Sequence, residues 1–265
     1  MAALQSGKSW RALLWRRHVL IIALCVLLPA GLFAAVMENV LNGDDLAQAD
    51  ARAYNFLQQL RTPATDGLMV AVTELGDTLV VTLVTLSLMG WLVLKRAWQT
   101  TLHLGVAVGG ASAFNTGIKL LAQRARPVPD LYAGWSAFSF PSGHATVNAV
   151  LYGFLGFLVA RHLRTAGRVA VAAAGLAFVA AVVFSRLYLG AHWLSDVAGS
   201  LTFALAWTVA LAASYEARLS PDFNPRGLAL VAAIVLALAG GFNVWHRHGM
   251  DMQRYGARPL ALQAS

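Results

Sequence analysis

Charge is scarce in this 265-residue sequence: Lys, Arg, Asp and Glu together make up 12% of it, about half of the roughly 25% usual in a soluble domain. The hydrophobic share is 58% and the mean hydropathy +0.61. A disordered chain, a coiled coil and an ordinary cytosolic enzyme are excluded, because none could keep such a surface wet. Cysteine is almost missing too. The one residue, Cys25, sits inside an apolar run, which excludes an intrachain disulfide and a cysteine-based metal site. Neither a low-complexity tract nor the internal repeat common in transporters is present. What is left is a polytopic membrane protein of all-α class.

A bilayer core of about 30 Å needs roughly 20 apolar helical residues. Seven segments approach that length, at about 18–37, 68–94, 102–121, 143–160, 169–187, 195–214 and 228–245. The first follows Arg11, Arg16 and Arg17 as a signal peptide would, yet it is long for a cleaved segment and lacks a small-x-small site, so it reads as a retained anchor. Between the first two spans, Leu46, Ala53, Leu57 and Leu60 recur at helical spacing until Thr62-Pro63, which predicts an interfacial helix. The chain divides into an N-terminal anchor with that helix (1–65), a core (66–214) and a C-terminal span with its tail (215–265).

The net charge is +8, with an isoelectric point near 10.2. In a soluble protein this balance would suggest nucleic acid. Here the basic residues fall in short clusters between apolar runs, as membrane orientation requires, and no nucleic-acid partner is expected. Placing the N-terminus inside puts eleven of the twenty Lys and Arg residues on the cytoplasmic side. Arg247, Arg254 and Arg258 go against this count.

Three short stretches gather polar residues at the same ends of different spans. Lys119 and Arg126, seven apart, share a face if the helix runs through both, and two cations on one face want an anion. Pro141-Ser142-Gly143-His144 opens the fourth span, where Ser142 can cap the helix, Gly143 lets backbone come close, and free N–H groups form an anion cradle. Arg186 and the His192–Asp196 pair belong to the third stretch. A carboxylate four residues on can accept from one imidazole nitrogen and leave the other bare. His192 then reads as a nucleophile toward phosphorus and His144 as its acid–base partner, with the cations supplying charge that a metal otherwise provides.

These stretches, KLLAQRARP, PSGH and SRLYLGAHWLSD, resemble the three signature motifs of the type 2 phosphatidic acid phosphatase superfamily in order and spacing. The resemblance covers roughly residues 66–214. It implies a six-span helical bundle with an outward-facing site. Lys119, Arg126, Ser142, Gly143, His144 and Arg186 would surround the phosphate, with His192 as nucleophile and Asp196 as its partner. It further implies metal-independent, cofactor-free hydrolysis of a membrane lipid phosphate or pyrophosphate. The basic cytoplasmic loops and short length fit a bacterial inner membrane protein with the site facing the periplasm. The seventh span lies beyond that six-span core.

Three alternatives stay open: transfer of the phosphate to another lipid, haloperoxidase chemistry at the same anion site, and, ranked low, transport. Glu74 and Asp77 read as a structural ion pair with a basic residue of the third span, or as residues simply near the interface, rather than as functional groups. His246-Arg247-His248 reads as interfacial, as do His18, His103 and His162. Gly105 and Gly109 read as close helix packing. Loop 127–140, rich in aromatics and proline, reads equally as the headgroup entrance or as an interfacial anchor.

Overall fold

The computed structural model describes residues 2–43, 46–129, 131–217 and 223–256, with side chains from Val19 onward. The side chains of Lys8, Trp10, Arg11, Trp15, Arg16, Arg17 and His18, and residues Arg218 and Arg258, lie outside the described residues. Helices account for the regular structure and no strand occurs among the described residues.

In chain order the helices are α1 (Ala2–Asn42), α2 (Ala47–Gln59), α3 (Pro63–Leu75), α4 (Thr78–Leu94), α5 (Trp98–Ala122), α6 (Gly143–Ala160), α7 (Thr165–Tyr188), α8 (Leu194–Glu216) and α9 (Pro225–Tyr255). Seven stretches are long and apolar enough to cross a membrane, with α3 and α4 counting as one. Their starts are written in the sequence. Thr62 and Thr65 form a reciprocal capping box on either side of Pro63, Asp77 caps α4, Ser142 caps α6, and Asn224 caps α9 ahead of Pro225.

The second span differs from the continuous segment expected at 68–94. It breaks at Gly76-Asp77. A Cβ on Gly76 would lie 2.5 Å from Val182, and the Gly76 carbonyl accepts from Asn148 Nδ2 at 2.9 Å, so this backbone is pressed against α7 and α6 while Asp77 restarts the helix.

α6 is the central rod: half of its apolar window is buried within the bundle, against 6% for α1. It packs on α5, α7 and α8 around Val84, Leu88, Leu104, Leu151, Phe154 and Leu158. Lipid tails are as apolar as these side chains, so close fit rather than escape from water joins the helices. Gly110 admits Trp207, whose Nε1 donates to the Ala107 carbonyl at 3.1 Å, so Trp207 is a packed residue. Of the Gly105–Gly109 pair, Gly105 meets Met89 while Gly109 faces open space. α1 lies on α8 through Phe33 and Val36 and turns Leu20, Leu24, Leu27 and Leu28 outward.

The connections put the end of α5, the starts of α4 and α6, the end of α7, the start of α8 and the end of α9 at one end of the bundle, here the site end. α2 is more than an interfacial helix. It packs on α7 and α8 there, with Gln58 donating to the Tyr188 carbonyl at 3.2 Å. Other readings are corrected likewise. Glu74 and Asp77 pair with α9, not with the third span: His248 Nδ1 lies 3.2 Å from Glu74, and Arg247 lies 3.6 Å from Asp77. His246-Arg247-His248 is therefore partly a helix-pairing element. His103 is buried, with Nδ1 on the Gln99 carbonyl and its ring edge-on to Tyr215.

Candidate active site

Lys119 and Arg126 do not share a helical face. α5 ends at Ala122, and Gln123 turns left-handed at φ +45°. Arg126 therefore sits in the following loop and is folded back by loop carbonyls. Its Nη2 donates to Ser136 and Phe138 at 2.7 and 3.1 Å, and Nη1 donates to Ala191 at 2.5 Å. Lys119 Nζ donates to the same Phe138 carbonyl at 2.5 Å. One backbone oxygen thus brings together two cations that helical spacing alone would not have placed.

Ser142 caps α6 by accepting from Ala145 N at 3.4 Å, and its own N–H donates to Ser200 at 2.8 Å. The positive end of α6 then opens at Gly143 and His144. A Cβ on Gly143 would come within 3.3 Å of Asn115 Oδ1. Asn115 in turn donates to the Pro141 carbonyl at 3.1 Å, tying α5 to the cap.

His192 precedes α8 rather than lying on it. Trp193 is the N-cap, and Asp196 reaches back to accept from Trp193 N at 2.9 Å and to meet His192 Nδ1 at 3.2 Å. The same carboxylate closes the helix start and orients the ring. Arg126 Nη1 stands 3.0 Å from Nε2. An arginine only donates and a carboxylate only accepts, so the proton is on Nδ1 and the lone pair on Nε2. Burial, followed by the positive charges of Arg126, Lys119 and Arg186, holds the His192 imidazole well below its ordinary range, so it stays uncharged. Burial and Arg186 lower Arg126 to about 10, which leaves it charged at neutral pH.

Arg186 is wholly buried at the end of α7. Nη1 donates to Thr73 at 2.8 Å and to Tyr255 at 3.1 Å, and Nη2 donates to Tyr132 at 2.6 Å. The two tyrosine hydroxyls also bond to each other. Arg186 Nε has no hydrogen-bond partner among the described residues. α9, which the sequence left without a role, thus holds one of the predicted site cations.

Lys119, Arg126, Gly143, His144, Arg186 and His192 line one cavity of about 230 Å³. Ser142 and Asp196 stand behind it, one at the cap and the other behind the ring. The cavity continues between α4 and α5 past Thr116, Ser112 and Val108, and Tyr132 and Trp135 of the 127–140 loop edge it. Trp135 is exposed, whereas Phe140 is fully buried against Phe33 and Gly199. Among the described residues, no group of three or more His, Cys, Asp and Glu side chains is arranged to hold a metal ion.

Sequence reasoning missed Asp50, Thr73, Arg124, Ser195 and Tyr255. Arg124 was visible inside KLLAQRARP, two residues before Arg126, but no linear pattern says what it meets. Asp50 and Tyr255 come from segments that carry no motif.

Three comparisons relate this geometry to known proteins. A family model described as the PAP2 superfamily matches residues 100–220. Phosphatidylglycerophosphatase B of Bacillus subtilis (strain 168) is 27% identical over 177 residues, which are 66% of this chain and 87% of that protein. The crystal structure described as the first transmembrane PAP2 type phosphatidylglycerolphosphate phosphatase, from Bacillus subtilis, superposes with a TM-score of 0.63 at 24% identity. The match covers 72% of this chain and 97% of that one, and it establishes likeness of fold.

Proposed function

We propose, on the match of a PAP2 superfamily model to residues 100–220, that this membrane protein hydrolyses a lipid phosphate or pyrophosphate through a phosphohistidine on His192. The observation that carries the reading is the shared cavity: three cations and two histidines from separate segments face one space. Phosphate oxygens would take over the donors of Lys119, Arg126 and Arg186, joined by the free N–H groups at Gly143 and His144. Displacing Arg126 from Nε2 frees the lone pair for in-line attack.

A bond forms from Nε2 to phosphorus as the bond from phosphorus to the lipid oxygen breaks. Asp196 steadies the imidazolium, and His144 gives its proton to the leaving oxygen. His144 then takes a proton from water, which attacks phosphorus and releases phosphate and His192. The continuation between α4 and α5, lined by Val81 and Val108 with the small hydroxyl residues Ser112 and Thr116, gives room for the start of a lipid chain held beside its headgroup. Phosphatidylglycerol phosphate is the first substrate to test, given what the Bacillus relatives are named for, followed by phosphatidic acid and undecaprenyl pyrophosphate. The cationic collar does the work of a metal in this reading, and the site faces the periplasm of a bacterial inner membrane.

His192→Ala should lower phosphate release from these lipids by about a thousandfold or more, and phosphate should be trapped on His192 after a quench that avoids acid. Wild-type turnover should persist in excess EDTA. A fully active His192→Ala protein would overturn the nucleophile assignment.

A further inference from the structure

A second cluster of buried polar groups lies directly behind His192. Arg124 Nη1 donates to Asp196 Oδ1 at 2.7 Å and to Ser195 Oγ at 2.7 Å, while Nη2 donates to Asp50 Oδ2 at 2.6 Å. Asp50 also receives the Ser195 backbone N–H at 2.8 Å and its hydroxyl at 2.6 Å. Both acids are nearly sealed from solvent, Asp50 at 2% and Asp196 at 0% exposure. The Arg124 guanidinium lies 5.7 Å from the Trp193 ring, which covers it.

We infer that Arg124, held from α2 by Asp50, is a positioning residue that acts through Asp196 to aim the partner of His192. This rests on the reading of His192 as nucleophile. The two oxygens of Asp196 divide the labour. Oδ1 is taken by Arg124, which leaves Oδ2 for Trp193 N and His192 Nδ1. Among the described residues Arg124 is the one Lys or Arg ion-paired with Asp196. Removing it would leave a buried carboxylate with no ion-paired Lys or Arg among the described residues and with Oδ1 held only by Ser139 Oγ at 3.4 Å, and such poorly compensated charge is costly.

Arg124 does not line the cavity, so phosphate binding does not use it. Its second anchor keeps it there: with Nη2 fixed to Asp50, it cannot swing in as a further phosphate ligand. Fork geometry explains why the residue is an arginine, since two carboxylates are gripped by two separate nitrogens. The inference gives α2, which lies outside the matched family region, a part in the chemistry.

The test is a cycle of Arg124→Gln, Asp50→Asn and the double variant in the full chain, assayed in detergent with dioctanoyl phosphatidic acid and checked for folding by thermal melting. Each single variant should lower kcat about 10- to 100-fold, the size of coupling between contacting groups. KM should stay within about twofold. The double variant should lose no more than Arg124→Gln alone, and Arg124→Lys, which can reach one carboxylate but not both, should recover part of the loss. Nitrogen-15 spectra should show His192 fixed with Nδ1 protonated in the wild type and as a mixture of tautomers in Arg124→Gln.

A kcat near wild type in the single variants, a loss confined to KM, or losses that multiply would each overturn the inference. Should Arg124→Gln fail to fold, Asp50→Asn decides, because it keeps the Arg124–Asp196 pair; wild-type kcat and a fixed tautomer there tell against it. His192→Ala in the same preparation separates the two readings. If it is inactive while Arg124→Gln and Asp50→Asn turn over normally, only the positioning role falls; if it is active, the nucleophile reading falls first.

Discussion

At the scale of the residue, His192 is governed by two neighbours that treat its nitrogens oppositely. Asp196 keeps a proton on Nδ1 and Arg126 faces the lone pair on Nε2. Its ionisation is depressed by burial and by surrounding cations, so the folded protein takes up a proton there only at lower pH than the unfolded chain would. The sign follows: this contribution to stability is present above the unfolded value of about 6.5 and is lost as pH falls below it. In the unliganded protein the His192 ring should stay uncharged at pH 6, read from its nitrogen-15 shifts. A midpoint at or above about 6.5 would contradict the burial and charge argument.

At the scale of the element, the short turn between α7 and α8 carries His192, the proposed nucleophile, and Gly190 permits it. Its φ is +67°, and a Cβ there would lie 3.1 Å from both Tyr54 and Val128. Gly134, at φ +62° with open space around it, is the natural control. Gly134→Ala should cost only the left-handed penalty of about 1–2 kcal/mol. Gly190→Ala should lower the melting temperature further and reduce kcat as well, because relieving the crowding moves the residues on either side of His192. Equal losses in the two variants would show that crowding at Gly190 counts for nothing. α9 works at the same scale. Through Asn243 and His248 it binds the end of α3, and through Tyr255 it reaches Arg186.

Across the whole molecule, the two ends of the bundle handle charge differently. At the site end Arg61 pairs with Asp66, Arg124 with Asp50 and Asp196, Arg247 with Asp77, and Arg254 with Asp251. At the far end Arg161 pairs with Glu216, while Lys95, Arg96, Arg164, Arg168 and Arg226 form no ion pair among the described residues. Arg247 and Arg254, which weigh against an inside N-terminus when counted along the chain, are thus matched locally by acids. This distribution supports the proposed orientation, with the far end on the cytoplasmic side. In a Cys25→Ser background, a cysteine replacing Trp135 should react with a membrane-impermeant maleimide in intact spheroplasts. One replacing Trp98, at the other end of α5, should react only after permeabilisation; the reverse pattern would invert the proposed orientation.

Much of this was legible in the linear chain. Span number follows from apolar length, because a bilayer admits few alternatives to a helix of that size. The cap at Ser142, the stop at Thr62-Pro63 and the pairing of His192 with Asp196 follow from local chemistry within a few residues. What the chain could not say was which distant groups would meet. The break at Gly76 depends on Val182 and Asn148, the return of Arg126 on carbonyls after residue 135, the setting of Arg186 on Tyr255 of the last helix, and the support behind Asp196 on Asp50 of a helix without a motif. Those contacts exist only once the rods are packed, since a hydrogen bond between segments far apart along the chain has no periodicity to betray it.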